Sequence, residues 1–223
     1  MQIYEIITKP IRYILSYLYH GECVFCADET ELWHYICDDC KNKISEKEYT
    51  AITPNGFLCL SAFEYREQFK NSVLRFKFGG HREYSRTYAS IVFDKYRDRL
   101  EHFNPDFITS VPLPEKSFKK RGYNQAELLA KDIAFFCKKP YNKVLSKIRD
   151  NEIQHDLNKE LRKQNVKNVY EVISDTEISG KRIIICDDII TTGWTLNECA
   201  ESLKAAGADD VLCITAAKTP LPH

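Results

Sequence analysis

The sequence lacks net charge, because its 32 lysines and arginines equal its 32 aspartates and glutamates. A chain without net positive charge has no general attraction for nucleic acid or for an anionic membrane, so any such binding must use a local patch. The sequence also lacks internal repeats and low-complexity tracts. Its 223 residues, 43% of them hydrophobic, suffice for one substantial core and a small appended module.

A long apolar run is missing from the amino terminus. Residues 1–18 carry apolar side chains at helical spacing, but Glu5, Lys9, Pro10 and Arg12 interrupt them, which excludes a signal peptide and a membrane span. An amphipathic packing helix is favoured over an interfacial membrane helix, which would need a strongly basic face. We therefore expect a cytoplasmic protein, in which the nine cysteines are thiols and metal ligands rather than disulfides.

The order of the predicted elements indicates an α/β fold. From residue 105 onward, strand, helix and strand patterns alternate and form a parallel unit. We expect residues 1–60 to form a helix and a cysteine module, and residues 61–223 to form an α/β domain that begins with a linking part at 61–104. Strands are predicted at 61–65, 107–111, 182–187 and 211–215, and helices at 124–136 and 195–206, after charged helical sequence that Gly79 and Gly80 break.

Two C-x2-C pairs are separated by ten residues, Cys23 with Cys26 and Cys37 with Cys40. Two such knuckles can bring four thiolates to the corners of a tetrahedron, the geometry of a structural zinc site. A redox dithiol usually shows one such pair, and unrelated buried cysteines are the other alternative. Zinc is favoured, in a structural role because four thiolates leave no open position, and the metal would supply much of the module's folding free energy.

An apolar strand pattern ends in two adjacent acids, Asp187 and Asp188, followed by a small polar turn, Thr191-Thr192-Gly193-Trp194-Thr195. In open parallel sheets ligands lie beyond the carboxyl ends of the strands. Carboxylates only accept hydrogen bonds, so this pair suits the two hydroxyls of a ribose. Hydroxyls and backbone amides at the start of a helix suit a phosphate. The stretch therefore predicts a sugar-phosphate site, whereas the alternative is a strand end that the acids merely cap and solvate.

Residues 183–196 resemble the phosphoribosyl pyrophosphate motif of the type I phosphoribosyltransferases, in which an apolar strand and two acids precede Thr-Thr-Gly-x-Thr. The resemblance implies a mainly parallel sheet flanked by helices, and a site that holds phosphoribosyl pyrophosphate with Mg²⁺. Trp194 departs from the motif, because this position is usually small in the family. Either its indole turns out of the loop or the loop is reshaped.

Further segments resemble the ComF family of competence-associated proteins. They are Arg75–Gly80, Ser110–Pro114, Lys119–Gln125 with its RGYNQ run, the spaced residues Gln154, Leu157, Arg162 and Asn165, and the four-cysteine module. The resemblance places Val111, Pro112, Leu113, Lys119, Lys120 and Arg121 on the pyrophosphate side of the site. It places Gln154, Arg162 and Asn165 in a loop that closes over it. These residues could instead form only a solvated basic turn and a hydrogen-bonded loop.

Two functions follow from the resemblance. The first is transfer of ribosyl phosphate to a nitrogen nucleophile, although no residue is an obvious general base. The second is the handling of single-stranded DNA with competence proteins, in which the sugar-phosphate site acts as a sensor. Cations at Arg75, Lys77 and Arg82, with the rings of Phe76, Phe78 and Tyr84 and the Lys116–Arg121 cluster, could contact such a strand. A purely structural zinc adaptor is the least favoured alternative, because it leaves the acid pair without a role.

Overall fold

The computed structural model describes residues 21–31, 34–44, 47–148, 169–174 and 176–220. The strands in these ranges, β1 to β9, are Gly21–Glu22, Glu29–Thr30, Tyr49–Ile52, Leu58–Glu64, Phe107–Ser110, Leu145–Lys147, Tyr170–Val172, Arg182–Ile190 and Asp210–Lys218. The helices, α1 to α6, are Asp38–Lys43, Glu67–Phe78, Tyr84–Phe103, Glu115–Arg121, Gln125–Cys137 and Trp194–Ala205. The helix predicted within residues 1–18 lies outside the described residues.

The central sheet has five strands in the order β3-β4-β9-β8-β5. The pairs β4–β9, β9–β8 and β8–β5 are parallel, and only the edge strand β3 pairs antiparallel, with β4. Strands β8 and β9 lie inside the sheet, and each contains an apolar run, residues 183–186 and 211–214, as expected for parallel strands that are covered on both faces. The prediction of an α/β fold with a mainly parallel sheet is therefore confirmed.

Helices cover both faces of this sheet. Alternate side chains of β8 point in opposite directions, so that Ile184 joins a core with α3 and α5, while Ile183 and Ile185 join a second core with α6. All three isoleucines are fully buried. The apolar faces of three helices and both faces of one sheet thus form two cores that fix the sheet edge where the acid pair lies.

The predicted elements that fall within the described residues are present, with shifted ends. Strand β8 continues to Ile190, three residues beyond its predicted end, because Ile189 and Ile190 pair with Ala217 and Lys218 of β9. On its other side, pairing with β5 stops at Cys186. Asp187 and Asp188 therefore lie within β8 but beyond the end of its neighbour β5. The short strands β1, β2, β3, β6 and β7 and the helices α1 and α4 were not predicted.

The four-cysteine module packs directly on the α/β core. The ring of Phe25 meets Phe63 edge to face with centroids 5.4 Å apart, and Phe69 at 4.9 Å. Cys23 and Cys40 are buried in the same core. The boundary at residue 60 stays a prediction, and β4 runs across it.

Within the described ranges, no helix combines the length and the apolarity that crossing a membrane requires. Strands β6 and β7 form a small antiparallel sheet at the two ends of the polar stretch predicted at 141–170. Gln154, Arg162 and Asn165, predicted for the closing loop, lie outside the described residues.

Candidate functional site

The structure brings the four predicted cysteines together. The sulfur atoms of Cys23, Cys26, Cys37 and Cys40 all lie within 4.8 Å of one another, and 3.6 Å separates those of Cys26 and Cys37. Four ligands at the Zn–S distance of about 2.3 Å would lie about 3.8 Å apart at the corners of a tetrahedron. The spacing and the all-sulfur donor set therefore fit a metal such as zinc.

Hydrogen bonds from the local backbone orient these sulfur atoms. The amide of Cys37 donates to the sulfur of Cys23, and the amide of Cys40 donates to that of Cys37, each at 3.4 Å. Cys37 also caps α1, which places Cys40 in the first turn of that helix. Amide donors of this kind favour thiolate, the form that binds metal.

The titration of the thiols indicates how the cluster accommodates charge. Burial raises the pKa of Cys26 to about 12 and raises that of Cys40 as well. Burial acts in the same direction on Cys23, but backbone amides outweigh it and lower the pKa of this thiol to about 7. Four thiolates at this spacing repel one another, so a bound cation is what would hold them all ionised.

The acid pair has one strongly perturbed member. Burial raises the pKa of Asp187 to about 7, and the adjacent charge of Asp188 acts in the same direction. The backbone amide of Asp188 donates to Asp187 Oδ1 at 2.8 Å, which opposes both effects. Near neutral pH this carboxyl therefore changes protonation easily.

Two cations lie against the second acid. Lys77 Nζ is 2.9 Å from Asp188 Oδ2, and a guanidinium nitrogen of Arg121 is 3.9 Å from the same oxygen. Only 16–18% of each of these three side chains is exposed. At this depth a charge pair is screened far less than at the surface, so Lys77 and Arg121 are part of the site.

The RGYNQ run explains why Lys77 is held there. The hydroxyl of Tyr123 donates to the carbonyl of Phe76, and the side-chain amide of Gln125 donates to the carbonyl of Lys77 at 3.3 Å. Arg121 in turn donates to Gln125 Oε1 at 3.0 Å. These bonds join the end of α2 to the start of α5, and they fix the distance between Lys77 and the acid pair.

Asn124 of the same run holds the loop after β5. Its Oδ1 accepts the amide of Ala126 and caps α5, while its Nδ2 donates to the carbonyl of Val111 at 2.9 Å. Val111 is buried, and its amide donates to the carbonyl of Cys186 in β8, so this amide is part of the sheet. Pro112 and Leu113 follow, partly buried, between the sheet and α4.

The predicted phosphate loop joins β8 to α6. Gly193 precedes the helix with a φ of +76°, in the left-handed region that favours glycine. Trp194 is the first residue of α6 and is partly buried, as are Thr192 and Thr195, whereas Thr191 is exposed. The loop therefore presents small polar residues and the amino end of a helix next to the acid pair.

Comparison with known proteins agrees with this geometry. Residues 120–220 match the phosphoribosyl transferase domain family. Competence protein F of Haemophilus influenzae is 28% identical over 194 residues, which cover 85% of this chain and 81% of that protein. Competence protein ComFC of Streptococcus pneumoniae is 30% identical over 67% of this chain and 63% of its own length. These matches support an assignment to the ComF family.

A third relative is similar over a shorter part of the chain. The DNA utilization protein YhgH of Escherichia coli is 34% identical over 105 residues, which cover 47% of the chain and 45% of that protein. The chain thus spans less than two thirds of two of the three relatives.

The basic residues on the predicted pyrophosphate side lie on α4, a helix with no buried residue. Lys119 pairs with Glu115 and is 74% exposed, whereas Arg121 reaches Asp188. Lys120 lies with its Nζ 5.6 Å from the centroid of the exposed Phe78 ring. Of the three predicted cations, the structure therefore brings only Arg121 to the acid pair.

The residues predicted to bind a DNA strand are only partly brought together. Phe76 and Tyr84 are buried, which prevents their rings from stacking on a base. Arg75 donates to the carbonyls of Val24 and Phe25, so it holds the cysteine module on α2. Phe78, 56% exposed, remains available beside the basic helix α4.

Sequence reasoning missed two features of the site. It assigned Lys77 to a strand-binding patch, although Lys77 lies in the segment Arg75–Gly80 that resembles the ComF family. It also gave no site role to the turn at residues 53–56, which the structure places against Gly193. Neither proximity follows from local pattern, because each partner is more than a hundred residues away in the chain.

Proposed function

We propose that this chain binds phosphoribosyl pyrophosphate with Mg²⁺ at the carboxyl end of β8. The observation that carries the proposal is one continuous arrangement, in which an acid pair, a glycine-capped helix start and two partly buried cations meet in space at the end of one strand. The acids match a ribose diol, the helix start matches a 5′-phosphate, and the cations match a pyrophosphate.

Each part of the ligand has proposed partners. Asp187 and Asp188 accept hydrogen bonds from the 2′- and 3′-hydroxyls of the ribose. The 5′-phosphate is held by the loop, whose members are Thr191, Thr192, Gly193, Trp194 and Thr195. Mg²⁺ arrives with the pyrophosphate, keeps several waters, and reduces the charge that the protein must neutralise.

The pyrophosphate lies against the loop and helix that follow β5. The residues proposed to line this side are Val111, Pro112, Leu113, Lys119, Lys120 and Arg121, with Lys77 added by the contacts described above. Arg121 and Lys77 are proposed to contact the pyrophosphate directly, whereas Lys119 and Lys120 contribute only a screened attraction at longer range. Residues Gln154, Arg162 and Asn165 are proposed to close over the ligand and exclude water.

Ligand binding replaces a contact that already exists. Asp188 is neutralised by Lys77 and Arg121. When the diol donates to Asp188, these cations become free to turn toward the pyrophosphate. Because they are already desolvated and positioned, little reorganisation is needed, which is the condition for strong electrostatic stabilisation of a leaving group.

Titration calorimetry tests this proposal. Phosphoribosyl pyrophosphate with Mg²⁺ is titrated into the metal-loaded protein and into the double variant Asp187→Asn, Asp188→Asn. We expect saturable binding by the wild type and a loss of at least about a hundredfold in the variant, since each lost charge-assisted hydrogen bond costs about 1.5 to 3 kcal/mol. Absence of binding by folded wild type would refute the proposal. Release of pyrophosphate upon adding nitrogen nucleophiles then tests transferase activity.

A second proposed function is the handling of single-stranded DNA. The names of the relatives refer to competence and to DNA utilization, and the exposed ring of Phe78 beside the basic helix α4 offers a base-stacking and phosphate-binding surface. The test compares oligonucleotide binding by Lys119→Glu, Lys120→Glu with a matched pair on other elements, Lys138→Glu, Lys204→Glu. Selective loss in the first variant supports the role, and equal binding by both removes α4 from it.

A further inference from the structure

The turn between β3 and β4 lies against the predicted phosphate loop. A β-carbon on Gly193 would be 3.4 Å from the Cα of Thr53 and 3.5 Å from the Cδ of Pro54. Thr53 is itself buried, at 2% exposure. The turn therefore covers the glycine on which α6 begins, and its approach leaves little room for a larger residue.

Hydrogen bonds within the turn hold its conformation. The amide of Thr53 donates to the carbonyl of Phe57 at 2.9 Å, and the amide of Gly56 donates back to Thr53 at 3.0 Å. The hydroxyl oxygen of Thr53 accepts the amide of Phe57. A turn that satisfies its own backbone in this way can support a neighbouring segment without help from it.

Two contacts fasten the turn to α6. The backbone amide of Asn55 donates to Asn197 Oδ1 at 2.7 Å. The side-chain amide of Asn55 donates to the carboxylate of Glu201, one turn further along the helix. The side chain of Asn197 is fully buried, and its backbone amide donates to the carbonyl of Gly193. The turn is thus joined to the loop through a single buried asparagine.

The orientation of the Asn197 side chain follows from this contact. A backbone amide can only donate, so the atom that faces Asn55 must be the oxygen, and the NH2 group is directed elsewhere. That nitrogen is buried, and the described residues offer it no partner. An unsatisfied buried donor is unfavourable for stability, so stability alone does not account for an amide at this position.

We propose that residues 53–56 form a wall of the phosphate loop, and that Asn55 and Asn197 are positioning residues that hold loop residues 191–195 in the geometry that receives a phosphate. The inference deepens the proposed function and rests on it for the identity of the ligand. It also makes the site composite, because the wall lies outside residues 120–220, the segment that matches the phosphoribosyl transferase domain family.

The main test is Asn197→Leu, which keeps the size of the side chain and removes the amide. If Asn197 only fills space, replacing an unsatisfied donor with an apolar group leaves stability equal or higher. If it positions the loop, amide hydrogen exchange at 191–196 accelerates about tenfold, as expected for one lost hydrogen bond, while exchange in β9 is unchanged. Unchanged exchange at 191–196 would overturn the proposal, and so would a uniform rise that includes β9.

A second variant acts on the turn alone. Pro54→Gly, Asn55→Gly loosens the turn at two exposed positions and leaves α6 intact, so it is informative even if Asn197→Leu does not fold. The same acceleration at 191–196 is expected, with a smaller amplitude. Asn55→Ala is the matched control, because it removes the Glu201 contact and keeps the amide that donates to Asn197. Equal exchange in the glycine variant and in this control would contradict the proposal.

Ligand binding separates positioning from general support. Ribose 5-phosphate probes the phosphate loop, and inorganic pyrophosphate with Mg²⁺ probes the opposite side of the site. Asn197→Leu should weaken ribose 5-phosphate about tenfold and leave pyrophosphate within about twofold, since only one end of the site is displaced. An equal loss for both would refute positioning. If wild type binds neither compound, the proposed function fails, and hydrogen exchange still decides the role of the turn.

Discussion

The cysteine cluster and the acid pair both bring like-charged groups close together, but they differ in the cations that compensate the charge. Each crowds groups that repel one another once ionised, four thiols in one case and two carboxyls in the other. At the acid pair the protein supplies its own cations, Lys77 and Arg121. At the cysteine cluster the largest influences on Cys23, Cys26 and Cys40 are burial and hydrogen bonds, and the fitting cation is a metal.

We propose that this difference separates a structural metal centre from a site that exchanges ligands. Cations carried on side chains can move from an acid to an incoming ligand, so the acid pair is suited to bind and release. A metal held by four thiolates has no such freedom, and its binding energy becomes folding energy. The four predictions below test this contrast, in order of decreasing effect.

Loss of the metal should have the largest effect. Cys40→Ser removes one ligand from a cluster whose members also lie in the main core, so we expect loss of bound metal and a melting temperature lower by more than about 10 °C. Metal analysis and thermal unfolding measure both. Cys137→Ser is the matched control, because that cysteine lies on α5 outside the cluster. A Cys40→Ser protein of unchanged stability would show that the module needs no metal.

Removal of the Lys77 cation should have the second largest effect. Lys77→Met leaves Asp188 with only the more distant Arg121, so we expect about tenfold weaker binding of phosphoribosyl pyrophosphate and a stability loss of about 2 kcal/mol. Calorimetry and denaturant unfolding measure these. Lys120→Met, on the exposed ring of Phe78, should change neither by much. Equal effects of the two variants would place Lys77 outside the site.

The pH dependence follows from the raised pKa of Asp187. In the folded protein this carboxyl titrates at about 7, above the ordinary value of 3.8, so between those values the folded state holds a proton that the unfolded state has lost. Stability therefore falls as pH rises through this window, and affinity for a diol rises as the carboxylate forms near pH 7. Asp187→Asn should remove this contribution to stability. A wild type with flat affinity from pH 6 to about 8 would contradict the assignment.

The smallest effect is expected for the exposed pair of α4. Lys119 and Glu115 are 74% and 76% exposed, so Lys119→Ala should leave both stability and phosphoribosyl pyrophosphate affinity nearly unchanged. The measurement is the same pair of titrations. A loss comparable to that of Lys77→Met would mean that α4 bends toward the ligand, and the contrast between positioned and solvated cations would fail.

The local sequence pattern was sufficient to predict the longer strands and helices. The apolar runs at 182–187 and 211–215 predicted two central strands, and the C-x2-C spacing predicted a four-sulfur cluster that the structure brings together. These predictions succeed because side-chain periodicity and ligand spacing depend on neighbours along the chain. The ligands proposed for the acid pair and the phosphate loop remain untested predictions.

The amino-acid sequence by itself determined the order of strands and helices, the cysteine spacing and the acid pair beside a glycine turn. Only the tertiary structure decided that Lys77 neutralises Asp188, that Tyr123 and Gln125 brace the end of α2, and that the turn at 53–56 covers Gly193. Such contacts join residues 47 to 142 positions apart. They arise because a parallel sheet brings distant strand ends to one edge, and no local pattern records which side chains meet there.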